Sequence, residues 1–348
     1  MEAADHLGAI ALYPRSAYVH LLKPELPADA FAPARSRLLL VPFYLAVIAV
    51  GIASLGLGWV PLLFAPLVSL AIGAGFAGLT FVAHEALHGA IVTGRTRRLI
   101  VGWLAFMPFA LSPRLWVAWH NRAHHGHSNE EGDPDGYATL ERYRARRGTR
   151  FSVDMFSLGG RRWRGALSLV LGFTVQSFDQ LFGLHARGLM TRREQVLAYA
   201  ETGLALAVWG TVAYLVGFVP FLFVWVLPLL IGNACVMAFI LTNHALSPRV
   251  PIDDPLVNSL SVTTPRLIDR LTLRFGLHVE HHLFPAMSSR HAPAVRTLLK
   301  QRFPGRYQSM SLRRALLRLH RTARVYKDST TLLDPKTGRE YPTLLPTG

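Results

Sequence analysis

Between Arg37 and His84 the chain carries not one Lys, Arg, Asp or Glu, and between Glu194 and Arg249 the only charged residue is Glu201. An α-helix rises 1.5 Å per residue, so about 20 apolar residues cross the hydrocarbon of a bilayer. Each charge-free run is long enough for two such helices, and each is broken once by a Gly- and Pro-containing turn, at Gly56–Pro61 and Gly217–Pro220. The expected spans are Leu38–Gly58, Pro61–Ala83, Val196–Gly217 and Pro220–Thr242. A buried helix of a soluble protein is the alternative, but core helices rarely run so far without charge. The apolar segment Leu99–Leu111 is too short to cross and belongs at the interface.

Charge sets the orientation. The 348 residues carry a net +16, and the stretch from Gly89 to Arg164 alone holds 13 Arg, whereas the two turns hold no charge. A basic chain suits nucleic acid, but the positive-inside rule is the simpler account: both turns face outward and both termini stay in the cytoplasm. The resulting basic face suits anionic headgroups and an acidic protein partner, and no nucleic-acid partner is expected. Gly165–Leu184, with Gln176, Asp179 and Gln180, is read as an amphipathic interfacial helix, because crossing would place everything after it on the other side. Cys235 is the sole cysteine, so no disulfide forms within the chain. No signal-peptide pattern precedes the first span, which is expected to act as its own insertion signal. The expected organisation is a cytoplasmic tail over 1–36, a membrane domain over 37–293, and a basic cytoplasmic tail over 294–348 with a helix around Ser311–Tyr326.

Histidine supplies the chemistry. Three windows, His84-Glu-Ala-Leu-His88, His120-Asn-Arg-Ala-His124-His125 and His278-Val-Glu-His281-His282, hold 16 residues but 8 of the 15 histidines. All three flank the apolar runs. On a helix, His84 and His88 share a face, as do His120 and His124, and His278, His281 and His282 converge on one face. One histidine in an apolar helix is usually a satisfied core residue; eight at these spacings read as metal ligands. Imidazole suits Fe, Zn, Cu and Ni, and so many ligands exceed one coordination shell, which points to two metals. His244, at the cytoplasmic end of the fourth span, is a ninth candidate, since an ionisable group at that depth is functional by default. Its alternative is an interfacial histidine bonded to water. Asn243 is either a partner of a ligand or a helix cap, and His127 either such a partner or a surface residue. The carboxylates available to orient ligand imidazoles are Glu85, Glu280, Asp133 and Asp135; the alternative for each is a solvent-facing polar residue of a box near water. The expected fold class is thus an all-α integral membrane protein: four transmembrane helices in two hairpins, with a cytoplasmic helical cap carrying a His-ligated dimetal site.

From about Leu38 to Pro293 the chain closely resembles the membrane fatty acid desaturase family: H-x3-H at His84–His88, H-x3-HH at His120–His125, H-x2-HH at His278–His282, and Asp133-Pro134 after the second box. The resemblance implies a four-span fold, a cytoplasmic di-iron centre, an acyl substrate on a membrane lipid or thioester, and O2 as co-substrate. It implies that two electrons come from an external donor of ferredoxin or cytochrome type, and that the product carries a new C=C bond. Two departures stand out. Asn243 directly precedes His244, where the family often has N-x3-H, and no fused haem module of the His-Pro-Gly-Gly kind is present. In a bacterium the location would be the inner membrane. Lipid or terpenoid hydroxylases and ketolases share such boxes and are the main alternative. His84-Glu85-x-x-His88 also fits the zinc-protease signature, with Glu85 as base, but that reading leaves the other two boxes without purpose.

Overall fold

The computed structural model describes residues 10–130, 132–185 and 187–347. Among them, four helices are long and apolar enough to cross a membrane: Arg35–Gly56, Leu62–His88, Arg192–Val216 and Phe218–His244. These lie within a few residues of the expected spans. The helical pieces Arg95–Phe109 and Pro113–His124 bend against each other by 102°, so that Leu99–Leu111 belongs to a broken pair rather than a straight span. Ala166–Gly183 is helical but is not among the four. The chain forms two compact units, each built from separate stretches.

One unit comprises 31–122 and 170–237 and holds the first three spans and the start of the fourth. Between the first two spans small residues permit close approach, as is common where helices pack in lipid. A side chain at Gly78 would run into the ring of Tyr44. Several polar groups inside this unit find partners close by, as hydrocarbon favours. Asn233 donates to Thr174 Oγ1 at 2.9 Å and accepts from the Thr174 N–H at 3.0 Å. Glu201, the single charge of the third span beyond its first turn, accepts from Ser112 Oγ at 2.6 Å and from Arg114. A capping box, Thr191 with Glu194, starts that span. Gly89 ends the second one directly after His88: it adopts a left-handed φ of 85°, which favours glycine.

The other unit comprises 10–30, 123–169 and 238–347. Its core gathers Tyr18, Leu22, Leu256, Val279, Leu283 and Leu299 around the third box. Asp254 ties the unit together. It accepts from the Tyr13 N–H at 2.9 Å, from Tyr18 Oη at 3.3 Å and from Arg306 at 2.7 Å. The all-α expectation needs amending here, because five short strands occur among the described residues. β1 (Ser261–Thr263) pairs in parallel with β2 (Ser309–Ser311), while β3 (Val325–Tyr326), β4 (Thr331–Leu333) and β5 (Glu340–Pro342) form an antiparallel sheet. Strands of two or three residues leave no alternating pattern long enough to read in a sequence. Beside the sheet, Arg324 is buried and donates to Asp334 at 3.1 Å and to Asp154 at 3.3 Å. Arg324→Ala would leave Asp334 without its cation; the expected cost is about 3–5 kcal/mol of stability, read as a lower denaturation midpoint of the purified protein.

Candidate metal centre

Within the unit of the first three spans, His84 and His88 sit one turn apart at the end of the second span, as their spacing predicted. The helix breaks around Ala110–Ser112 bring His120 to them. The ring centroids lie 4.8 Å apart for His84 and His88, 5.0 Å for His84 and His120, and 5.3 Å for His88 and His120. Trp116 stacks on His120 at 4.4 Å and fixes its plane. The ligand nitrogens of these three rings lie within 4.8 Å of one another. His120 and His124 lie on a π-helix, Val117–His124, not a regular α-helix. Single π-helical turns are rare and frequent at functional sites.

The other unit carries a four-histidine cluster: His124, His244, His278 and His282, all buried. Their Nε2 atoms converge. His244 Nε2 lies 2.7 Å from that of His278 and 3.2 Å from that of His282, which is 3.3 Å from that of His124. Each Nδ1 is held from behind. That of His124 faces Asp133 at 3.0 and 3.1 Å, that of His244 the Asn258 carbonyl at 2.9 Å, that of His278 the Asn243 amide at 3.0 Å, and that of His282 Ser128 Oγ at 3.1 Å. Ring nitrogens protonated on the Nδ1 side present lone pairs to one another on the Nε2 side. Such an array of neutral rings is repulsive until a cation enters it, either a proton on one ring or a metal ion at the centre. Two imidazole nitrogens bound to one ion at about 2.1 Å stand roughly 3.0–3.4 Å apart; the His282 spacings of 3.2 and 3.3 Å fall in that range, and the His244–His278 spacing is shorter. The residues therefore fit a metal.

Further detail supports the tautomers. Asn243 is drawn with its NH2 toward His278 and with its carbonyl oxygen buried and unbonded. Turning the amide over lets that oxygen accept from the His278 Nδ1–H and satisfies both groups. Burial opposes a charge on His124, but Asp133 and then Asp135 outweigh it and lift its pKa to about 9. Burial, and then the surrounding imidazoles, push His282 well below its ordinary value. A cation entering this cluster would displace a proton from the His124 side.

The remaining predicted residues divide clearly. Box three does not converge on one face: His278 and His282 enter the cluster, whereas His281 turns its Nε2 to that of His125 at 3.0 Å. Asp133 is the carboxylate that faces the His124 Nδ1, and it is fixed in turn by the N–H groups of Asn129 and Asp135 at 2.7 and 2.9 Å. Asp135 stands behind it, 3.6 Å from His124 Nδ1. Glu280 is buried and accepts from Ser261 at 2.5 Å and Tyr307 at 2.6 Å, anchoring the box-three helix; burial raises its pKa. Glu85 is ion-paired with Arg37 at the start of the first span. His127 is 65% exposed and bonds to Glu130. Ser128 and Asn258 were not legible as parts of the site. Ser128 had one signal, its position four residues after His124; the Asn258 contribution is a backbone carbonyl and had none.

The chain is thus a helical membrane protein with histidine clusters of metal-ligating geometry. The family described as "Fatty acid desaturase" matches residues 57–314, well over half of the sequence, and the protein belongs to that family. It is 21% identical over 278 residues to the sn-1 oleoyl-lipid 12-desaturase of Arthrospira platensis, covering 75% of each chain. It is 22% identical over 242 residues to the chloroplastic omega-6 fatty acid desaturase of Spinacia oleracea, covering 66% of this chain and only 52% of the spinach protein. Family membership removes the ground for the metalloprotease reading.

Proposed function

We propose that the protein is a membrane-bound acyl desaturase. It would remove two hydrogens from adjacent methylenes of an acyl chain carried on a membrane lipid or thioester. One O2, two electrons and two protons would be consumed, and two waters formed with the C=C bond. The electrons would come from a separate protein of ferredoxin or cytochrome type. The nine ligands would be His84, His88, His120, His124, His125, His244, His278, His281 and His282, holding two irons.

Iron supplies the oxidising power that an unactivated methylene requires. The protein's own part is positional. Asp133, the Asn258 carbonyl, Asn243 and Ser128 hold four imidazoles in the tautomer that leaves Nε2 free to ligate. The burial of His124, His244, His278 and His282 keeps water from these rings. The observation that carries the reading is the convergence of four Nε2 atoms whose Nδ1 atoms are all tied back. The names of both relatives, a lipid 12-desaturase and an omega-6 fatty acid desaturase, support the reaction class. Expression in a host with simple lipids, followed by mass spectrometry of total fatty acids, tests it. A chain lighter by two hydrogens is expected; a chain heavier by one oxygen would assign a hydroxylase instead.

All three boxes are placed in the cytoplasm, with the two uncharged turns outside, on the strength of the Arg-rich stretch from Gly89 to Arg164. A reporter fused after Leu184 is expected to read cytoplasm. An outside reading would make Ala166–Gly183 a fifth span and would put the first and third boxes on opposite sides.

A further inference from the structure

The unit of the first three spans carries a second feature that the metal chemistry does not use. Two adjoining grooves line the helix Arg95–Phe106 and share Arg95, Leu99 and Arg114. One, of about 410 Å³, is basic and is walled by Arg95, Arg98, Arg114 and Arg122 with Asn121 and Glu194. The other, of about 530 Å³, is largely apolar and adds Ile100, Trp103 and Leu104, with Glu201 at its edge.

The charges in the basic groove do not cancel. Arg122 closes on Glu194 through two hydrogen bonds, at 2.7 and 3.2 Å, and Arg114 closes on Glu201. Arg95 stays 3.9 Å from Glu194 and is 78% exposed. Arg98 forms no ion pair with a carboxylate among the described residues, and its Nε is buried without a hydrogen-bond partner. The Oδ1 of Asn121, in the same wall, is buried without one too. Four guanidinium groups therefore face two carboxylates, beside an unspent donor and acceptor. Guanidinium pairs are the usual recognition element for phosphate oxygens.

Depth narrows the occupant. The groove lies between the segment leaving the second span and the first turn of the third, where Glu194 sits. That is headgroup level, and Trp103 beside it is the residue type that favours this level. A phosphate bound to Arg98 and Arg95 would leave its glycerol and chain origins against Leu99, Ile100, Trp103 and Leu104.

We infer that this groove binds the phosphodiester of a membrane glycerophospholipid and anchors the acyl carrier by its headgroup. The inference rests on the desaturase reading for its purpose, but its test does not. Full-length protein in neutral detergent would be offered dioleoyl phosphatidylglycerol, a monogalactosyl diacylglycerol with the same chains, and coenzyme A, and bound molecules would be counted by native mass spectrometry. Phosphatidylglycerol should be retained about tenfold more tightly than the galactolipid, and Arg98→Gln should remove about that factor while leaving galactolipid binding unchanged. Arg95→Glu, at an exposed position where folding is not at stake, should do the same. Equal retention of the two lipids, retention unmoved by both variants, or displacement of phosphatidylglycerol by coenzyme A would overturn the inference. Arg-dependent retention without a new double bond in expressed cells would instead sink the desaturase reading and leave the lipid site standing.

Discussion

Replacing His282 with Ala is expected to abolish product formation and to lower bound iron from about two per chain to about one. The His282 ring stands at the middle of its cluster. Its Nε2 meets those of His124 and His244, and its Nδ1 is held by Ser128. Without it, three nitrogens face a cavity and the coordination shell has a gap on its most buried side. Elemental analysis of the purified variant, beside activity in lipid, reads both effects. Retention of two irons would mean that the converging nitrogens are a packing arrangement. A wild-type preparation active with one zinc and no iron would sink the di-iron assignment as well. Zinc in an inactive, overexpressed preparation would not, since the order of metal affinities lets zinc displace iron.

What the sequence told in advance follows from which interactions are local. Spans are written in hydropathy, because a lipid-facing helix tolerates almost no charge, so Leu38–Gly58 came close to the observed Arg35–Gly56. The pairing of His84 with His88 is set by one helical turn and was legible for the same reason. His244 was legible by its depth, at the end of the fourth span. The split within box three was not. Spacing alone put His281 beside His278 and His282, but its partner His125 is supplied by a distant stretch of chain. The holding groups behind the imidazoles are distant too: a carbonyl from Asn258 and a hydroxyl from Ser128 carry no signature in residue type. Among the carboxylates, Asp133 comes closest to the cluster, against the His124 Nδ1, because its loop is folded back by N–H groups of its own segment. Glu85, the most suggestive acid of box one, is paired with Arg37, and neither spacing nor composition indicated that.

That pairing shapes the second large effect, a contrast between two variants. His281→Ala should eliminate activity, since the Nε2 of His281 meets that of His125 and His281 is counted among the nine proposed ligands. Glu85→Gln should leave measurable activity. The amide keeps the volume of Glu85 and can still accept from Arg37, whose side chain, 15% exposed at the start of the first span, retains some access to solvent. Losing a group that only supports a site typically costs about 10–100-fold. Some instability is expected besides, because Arg37 loses its counter-charge, so activity must be compared per folded molecule. A metalloprotease would give the reverse order: Glu85 would be the base, its amide variant dead, and His281 remote from the chemistry. One assay of fatty acid products on both variants decides. If His281→Ala keeps near-full activity while Glu85→Gln has none, the desaturase assignment of these histidines is wrong.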